Sequence, residues 1–258
     1  MKTIRLPARW KAAVAVALIL SSAAARPARA DFQLINNGGF EAGFAGWARQ
    51  DFLGSDGTFS LQTGSTSPIN HDPVPAPPGG LNAAMTDAQG GGSHVLYQDF
   101  VVPTGANAAT LQFSLFIGNR ATSPTSPNQP LFASPSTLDW TTTALNQQAR
   151  VDILRAGSDP FSVAASDVLL NVFQTNPGNT FGPGYINFAA NLSPLFAANA
   201  GQTLRLRFAE ADNVFTFQLG VDNVSISAVP EPSSLVLCGI GTLLGLAYCG
   251  RRCRRRGS

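Results

Sequence analysis

Apolar residues in the middle of this chain recur at every second position, always in short runs. Leu111, Phe113, Leu115 and Ile117 alternate with Gln112, Ser114, Phe116 and Gly118. Leu204, Leu206 and Phe208 alternate with Arg205 and Arg207, Val151 and Ile153 with Arg150 and Asp152, and Phe215, Phe217 and Leu219 with Thr216, Gln218 and Gly220. Period two is the signature of a strand with one buried face; a helix repeats its face about every 3.6 residues and cannot satisfy this pattern. Further runs at 32–36, 58–62, 81–86, 94–102, 167–174 and 185–192 bring the expectation to about ten strands, hence an all-β, two-sheet antiparallel sandwich. One short helix fits the interior: Ser193 as cap, Pro194 in the first turn, Leu195 to Ala200 as the body and Gly201 as the stop.

Two long segments break the rhythm. Residues 63–80 hold Pro68, Pro73, Pro75, Pro77 and Pro78, and residues 120–147 hold Pro124, Pro127, Pro130 and Pro135. Proline removes a ladder donor, so neither is expected as a central strand, and loops of this length are usually functional or mobile. In the last strand, apolar positions are odd-numbered through Val221 but even-numbered at Val224 and Ile226. That slip of phase predicts a bulge near residues 220–223.

Charge divides the 258 residues into three unlike parts whose formal sum is only +2. Residues 1–30 have six basic residues and no acid; residues 31–229 have six arginines, no lysine and fourteen acids; residues 230–258 have five arginines against Glu231. The central part is acidic, which disfavours nucleic acid as a partner. The first part has a basic stretch from Lys2 to Lys11, an apolar run over 12–20 and Ala28-Arg29-Ala30, the three parts of a signal peptide cut before Asp31. The last part has an uncharged, Leu- and Gly-rich stretch at 233–250, at the short end of what a membrane-spanning helix needs, then Arg251, Arg252, Arg254, Arg255 and Arg256. A basic cluster beside such a span stays on the cytoplasmic side and leaves the acidic part outside. The expected organisation is therefore a signal helix at 1–30, a β-sandwich ectodomain at 31–228 and an anchoring tail at 229–258. All three cysteines (Cys238, Cys249, Cys253) lie in that tail, so the ectodomain relies on its core and not on disulfides.

The tail resembles the PEP-CTERM sorting signal of Gram-negative bacteria. Val229-Pro230-Glu231-Pro232, the apolar span and the terminal arginines match its three parts in order. The resemblance implies processing by signal peptidase and exosortase, then delivery to the cell surface or the extracellular matrix, often in bacteria that make exopolysaccharide. The ectodomain carries a second resemblance. Asn36-Asn37-Gly38-Gly39-Phe40-Glu41, with Gly46-Trp47, and the closing Asp222-Asn223-Val224-Ser225 are similar to the first and last strands of galactose-binding-like jelly rolls, and MAM-like sandwiches share the closing strand. This resemblance implies a jelly-roll fold. It also implies that Glu41 and Asp222 are candidate calcium ligands, because calcium takes six to eight oxygens and facing carboxylates otherwise repel. The alternative is that Asp222 and Asn223 make only a turn and Glu41 is solvated.

Catalytic patterns are sparse. His71 lies in a proline-rich loop, and His94 follows Gly90-Gly91-Gly92-Ser93, which lacks the lysine of a phosphate loop. Neighbouring Ser93 and His94 diverge on a strand, and no Gly-x-Ser-x-Gly elbow or His-Glu-x-x-His helix is present. His71 reads as solvated and His94 as lining a strand. The carboxylates Glu41, Glu210, Asp212 and Asp222 are a thin basis for a glycan hydrolase, and Glu210 to Asn213 read as a hairpin turn. Trp140, in the polar 120–147 segment, is the candidate for stacking on a sugar, with Tyr97 and Tyr185 as hydroxyl donors; Trp47 reads as core. The sequence thus predicts a non-enzymatic, exported structural or adhesive protein. A carbohydrate-binding module acting on exopolysaccharide is the alternative, and a glycan-active hydrolase the third reading.

Overall fold

The computed structural model describes residues 32–123 and 126–230. The expected signal segment 1–30, Glu231, Pro232, the span 233–250 and the arginine cluster lie outside the described residues. The strands are β1 (Phe32–Gln33), β2 (Ala48–Asp51), β3 (Thr58–Thr63), β4 (Asn82–Asp87), β5 (Gly92–Val101), β6 (Ala106–Asn119), β7 (Thr122–Ser123), β8 (Ser126–Pro130), β9 (Gln147–Arg155), β10 (Val168–Gln174), β11 (Ile186–Asn191), β12 (Thr203–Asp212) and β13 (Phe217–Pro230). Among the described residues one helix, α1 (Ser193–Ala198), precedes β12.

Two antiparallel sheets carry the fold. The first runs β11-β6-β13-β4-β3, with β1 on the far part of β13; the second runs β10-β9-β12-β5-β2. The odd residues Leu111, Phe113, Leu115 and Ile117 of β6 meet the even residues Leu204, Leu206 and Phe208 of β12 in one core with Ala149, Val151 and Ile153. The apolar alternation read from the sequence therefore marks the inner faces of both sheets. The slip of phase is also seen. The β13–β6 register shifts between Asp222 and Ser225, and Asn223 takes φ 52°. Leu219 and Val221 before the shift, and Val224 and Ile226 after it, all reach the core.

Two expectations are corrected. Glu210 to Asp212 form no turn; they are the last rungs of β12, paired with His94, Ser93 and Gly92. Ser193 does not cap the helix, since Leu192 holds that position and the Ser193 hydroxyl accepts from Ala109 N and donates to Asn191 Oδ1. The long proline-rich segment 63–80 is pinned across the outer face of the first sheet. Asp87 accepts from Ile69 N, Asn70 N and Asn70 Nδ2, and Val74 packs with Met85, Phe116 and Tyr185. Part of 120–147 forms the β7–β8 hairpin. Finally, β13 continues past residue 228, with Val229 and Pro230 paired to Ala108 and Ala106.

The outer face of the second sheet is also covered. Ala209 and Ala211 of β12 and Val95 of β5 pack against Leu138 and Phe161 from the loops. Beside them Asp152, buried on β9, joins two arginines. Its Oδ2 accepts from Arg150 Nε at 2.7 Å and from Arg207 NH2, and its Oδ1 accepts from Arg150 NH2 and Asn171 Nδ2, each at 2.8 Å. Arg207 NH1 donates to the Pro160 and Ser162 carbonyls. Burial pushes the Asp152 carboxyl up, but the bonds and charges of Arg150 and Arg207 outweigh it and hold it below its ordinary value.

Candidate functional site

The two candidate calcium ligands come together where the opening segment meets β13. Asn37 organises that segment: its Nδ2 donates to the Gly43 and Ala45 carbonyls and its Oδ1 accepts from Ala42 N. Trp47 enters the core, as expected, and its Nε1 donates to Asn37 O. Gly38 lies against the β13 bulge, with Val224 N donating to Gly38 O at 2.9 Å, and a Cβ on Gly38 would collide with the Val224 carbonyl.

Glu41 and Asp222 flank the Gly79-Gly80 turn. Glu41 Oε1 accepts from Leu81 N and Asn82 N, while Asp222 accepts from Gly79 N and Asn223 N. Glu41 is exposed and Asp222 is fully buried. Burial pushes the Asp222 carboxyl up to about 6; the amides of Asn223 and Gly79 hold it back and the charge of Glu41 adds to the rise. The Asn223 Oδ1 lies close to Gly79, so two carboxylates and an amide oxygen border this turn. All three are oxygen donors, the kind a hard cation takes, while no group of three or more His, Cys, Asp or Glu among the described residues is placed to hold a metal.

A second group of polar residues lies at the loop end of the sandwich, inside it. Alternation continues from Leu96 to His94 on β5 and from Phe208 to Glu210 and Asp212 on β12, so all three turn inward. His94 and Glu210 are cross-strand partners, each 1% exposed. His94 Nδ1 pairs with Asp51 Oδ1 of β2 at 2.8 Å, and Asp212 Oδ1 accepts from Gly92 N at 2.8 Å. His94 Nε2, Glu210 Oε1 and Gln147 Oε1 have no hydrogen-bond partner among the described residues. Burial above all, and then the Asp212 charge, raise the Glu210 carboxyl well above its ordinary value. Burial also takes Asp212 to about 7, against the opposing Gly92 amide and His94. The sequence signal for this group was the unbroken period two of β5 and β12, which its charged residues disguised.

Trp140 lies on the other side of β5. Positions above Gly91 and Gly54 fall 3.1 and 3.6 Å from its ring, and its Nε1 is buried without a partner among the described residues. The ring thus ties the 140–146 loop to the β2–β3 loop. Tyr185 is enclosed under the 63–80 segment on the outer face of the first sheet, donating to Gln62 Oε1, and Tyr97 lies under Arg205, 4.1 Å from ring centre to guanidinium. His71 is exposed, in a left-handed backbone conformation at φ 56°. The six ectodomain arginines all meet a carbonyl or carboxylate in the fold.

β13 leads directly into the C-terminal segment. Residues 228–255 match the PEP-CTERM protein-sorting motif. A PEP-CTERM motif marks an exported protein that exosortase sorts to the surface. The chain matches no curated protein. Among solved structures it is similar to TmCBM61 in complex with β-1,4-galactotriose, at 10% identity and TM-score 0.43, covering 76% of this chain and 97% of that one. It is similar to the K3 cleaved adhesin domain of Lys-gingipain from Porphyromonas gingivalis, at 12% identity and TM-score 0.44, covering 76% and 98%. A third likeness is to a carbohydrate-binding module of the β-sandwich superfamily, at 12% identity and TM-score 0.41, covering 73% and 60%. None of the three is close enough to carry a ligand or an activity across. No helix among the described residues is long and apolar enough to cross a membrane.

Proposed function

We propose that this chain is a non-catalytic structural or adhesive protein of the cell surface or extracellular matrix, a jelly-roll sandwich released or attached through its PEP-CTERM tail. The observation that carries the reading is the direct passage of a core strand into the sorting motif. Val229 and Pro230 are the last rungs of β13, so the paired strand of the sandwich runs into the first residues of the sorting motif. The enclosure of the acid and base groups supports a non-enzymatic role: Glu210 and His94 are each 1% exposed, so neither faces a substrate while this end is closed. The test is location: the domain should be recovered at the surface or in the matrix of an exosortase-bearing host, and a soluble cytoplasmic domain would refute it.

The alternative is contact with exopolysaccharide. It is favoured by the exposed Leu53, next to the Gly54 that the Trp140 ring approaches, and by the exposed Phe215 in the β12–β13 turn. A glycan array in which binding is lost on Phe215→Ala supports this reading, and an array without binding rejects it. We also propose that Glu41 and Asp222, with Asn223 Oδ1, hold a structural calcium ion. Calcium at a hundred times its dissociation constant adds about 2.7 kcal/mol to stability. Chelation should then lower the melting temperature by about 5–10 °C in the wild type and leave Asp222→Asn unmoved. No shift in the wild type would remove calcium from the account.

A further inference from the structure

The loop end of the sandwich holds charged chemistry that no function above uses. Glu210 is on β12, the central strand of its sheet, with His94 of β5 on one side and Ala149 of β9 on the other. Asp212 follows on the same inner face, between Gly92 and Gln147, and is 2% exposed. No cation is bonded to either carboxylate among the described residues. His94 gives its Nδ1 to Asp51, and Arg49, the next inward residue of β2, donates to Phe59 O. Asp56 of the β2–β3 loop faces Asp212 with a like charge. From the opposite sheet come Phe59, Ile117, Phe217 and Leu219, which are apolar, and Thr86, whose hydroxyl accepts from Leu219 N. On β9 the neighbour is the neutral Gln147 amide.

We propose that Glu210 and Asp212 form a proton-operated latch, which keeps the loop end closed while both are neutral and opens it when they ionise. The coupling is direct, because Asp212 bonds the start of β5 and the residue after it holds the 140–146 loop. Asp212 Oδ1 accepts from Gly92 N. The next residue, Asn213, clasps the 140–146 loop: Asn213 N donates to Asn146 O, Asn213 Oδ1 accepts from Asn146 N, and Asn213 Nδ2 donates to the Thr142 and Ala144 carbonyls. The carboxylates titrate above their usual range in the fold, so their contribution to stability is complete below the unfolded value and is lost as pH rises through the folded one. The latch is tight in acid and loosens from about neutral pH upward. Opening hydrates the two carboxylates and frees the segments that bear Leu53, Leu145, Val214 and Phe215, all exposed at this end. The tail leaves from Pro230, at the other end of the 14-residue β13, roughly 43 Å away at about 3.3 Å per residue. The latch therefore governs the pole of the domain that points away from its attachment.

Hydrogen exchange on the full-length chain in detergent, corrected for the intrinsic effect of pH, reads the latch locally. Between pH 5.5 and 8.5, protection over residues 89–93, 140–147 and 210–217 should fall at least tenfold. Residues 106–111 and 224–229, at the far end, should change less than twofold. In the double variant Glu210→Gln/Asp212→Asn the fall should disappear. A wild type whose loop end is equally protected at both values, or a double variant that keeps the fall, would overturn the proposal. If the double variant does not fold, carboxyl carbon NMR of the wild type decides: midpoints above 6 for both residues uphold the latch, and a midpoint near 4 for either removes it.

Discussion

Replacing Asp152 by Asn should be among the most damaging single changes in the ectodomain, although it removes no atom of packing. Asp152 and Arg207 are both wholly buried, and Arg150 is 6% exposed. The carboxylate takes two bonds from Arg150, one from Arg207 and one from Asn171. An amide keeps the volume but loses the negative charge and turns a donor toward two guanidinium groups. Arg207 and Arg150 then remain as uncompensated buried cations, a situation that costs about 3–5 kcal/mol. For a domain of this size each kcal/mol moves the midpoint by about 2–4 °C, so the fall should be roughly 6–20 °C. Urea unfolding at pH 7 measures the difference directly. The effect also has a pH signature. The Asp152 carboxyl titrates below its ordinary value in the fold, so its contribution is present above the unfolded value and lost as pH falls through the folded one. The gap between wild type and Asp152→Asn should therefore close in strong acid. A loss under about 1 kcal/mol at pH 7 would refute the reasoning, because it would mean that water reaches the arginines and the triad is not buried.

Other perturbations test other joints. Gly38→Ala should cost at least about 2 kcal/mol in unfolding experiments, since its Cβ would occupy the position of the Val224 carbonyl and break the 2.9 Å bond between Val224 N and Gly38 O. Asp87→Ala should free the 63–80 loop, which limited proteolysis would detect as new cleavage between residues 67 and 73. Burial works to raise Asp87, but the bonds from Asn70, Ser67, Ile69 and Gln218 prevail and lower it, so the wild-type loop should become equally labile only in acid.

The strands were legible wherever one face was apolar. Leu111 to Ile117 and Leu204 to Phe208 announced β6 and β12, and the change from odd to even apolar positions after Val221 announced the bulge. Edge strand β2 gave no such signal, because its inward positions are Arg49 and Asp51, which turn toward Phe59 O and His94. Arg150, Asp152, Arg205 and Arg207 are the polar half of the alternation, on the face opposite the buried one. The loops cover that polar face, and the carbonyls of Pro160, Ser162 and Ser158 that receive the arginines leave no trace in hydropathy. The meeting of Glu41 and Asp222 came from resemblance, and the structure brings both to one turn. The inward group of His94, Glu210 and Asp212 was hidden because charge at a strand end looks like a turn; only continuing the period of Phe208 and Leu96 through those residues would have found it.

The central claim is that a PEP-CTERM tail sorts this sandwich to the surface, with the tail cut from a domain that ends in a paired strand. Intact mass of the protein recovered from an exosortase-bearing host tests it most directly. The account predicts a C-terminus within the sorting motif, beyond Pro230 and before the arginine cluster, and full retention of the tail when Pro230, Glu231 and Pro232 are all replaced by Ala. A wild-type mass that still includes Arg251 to Ser258, identical to that of the triple variant, would contradict it.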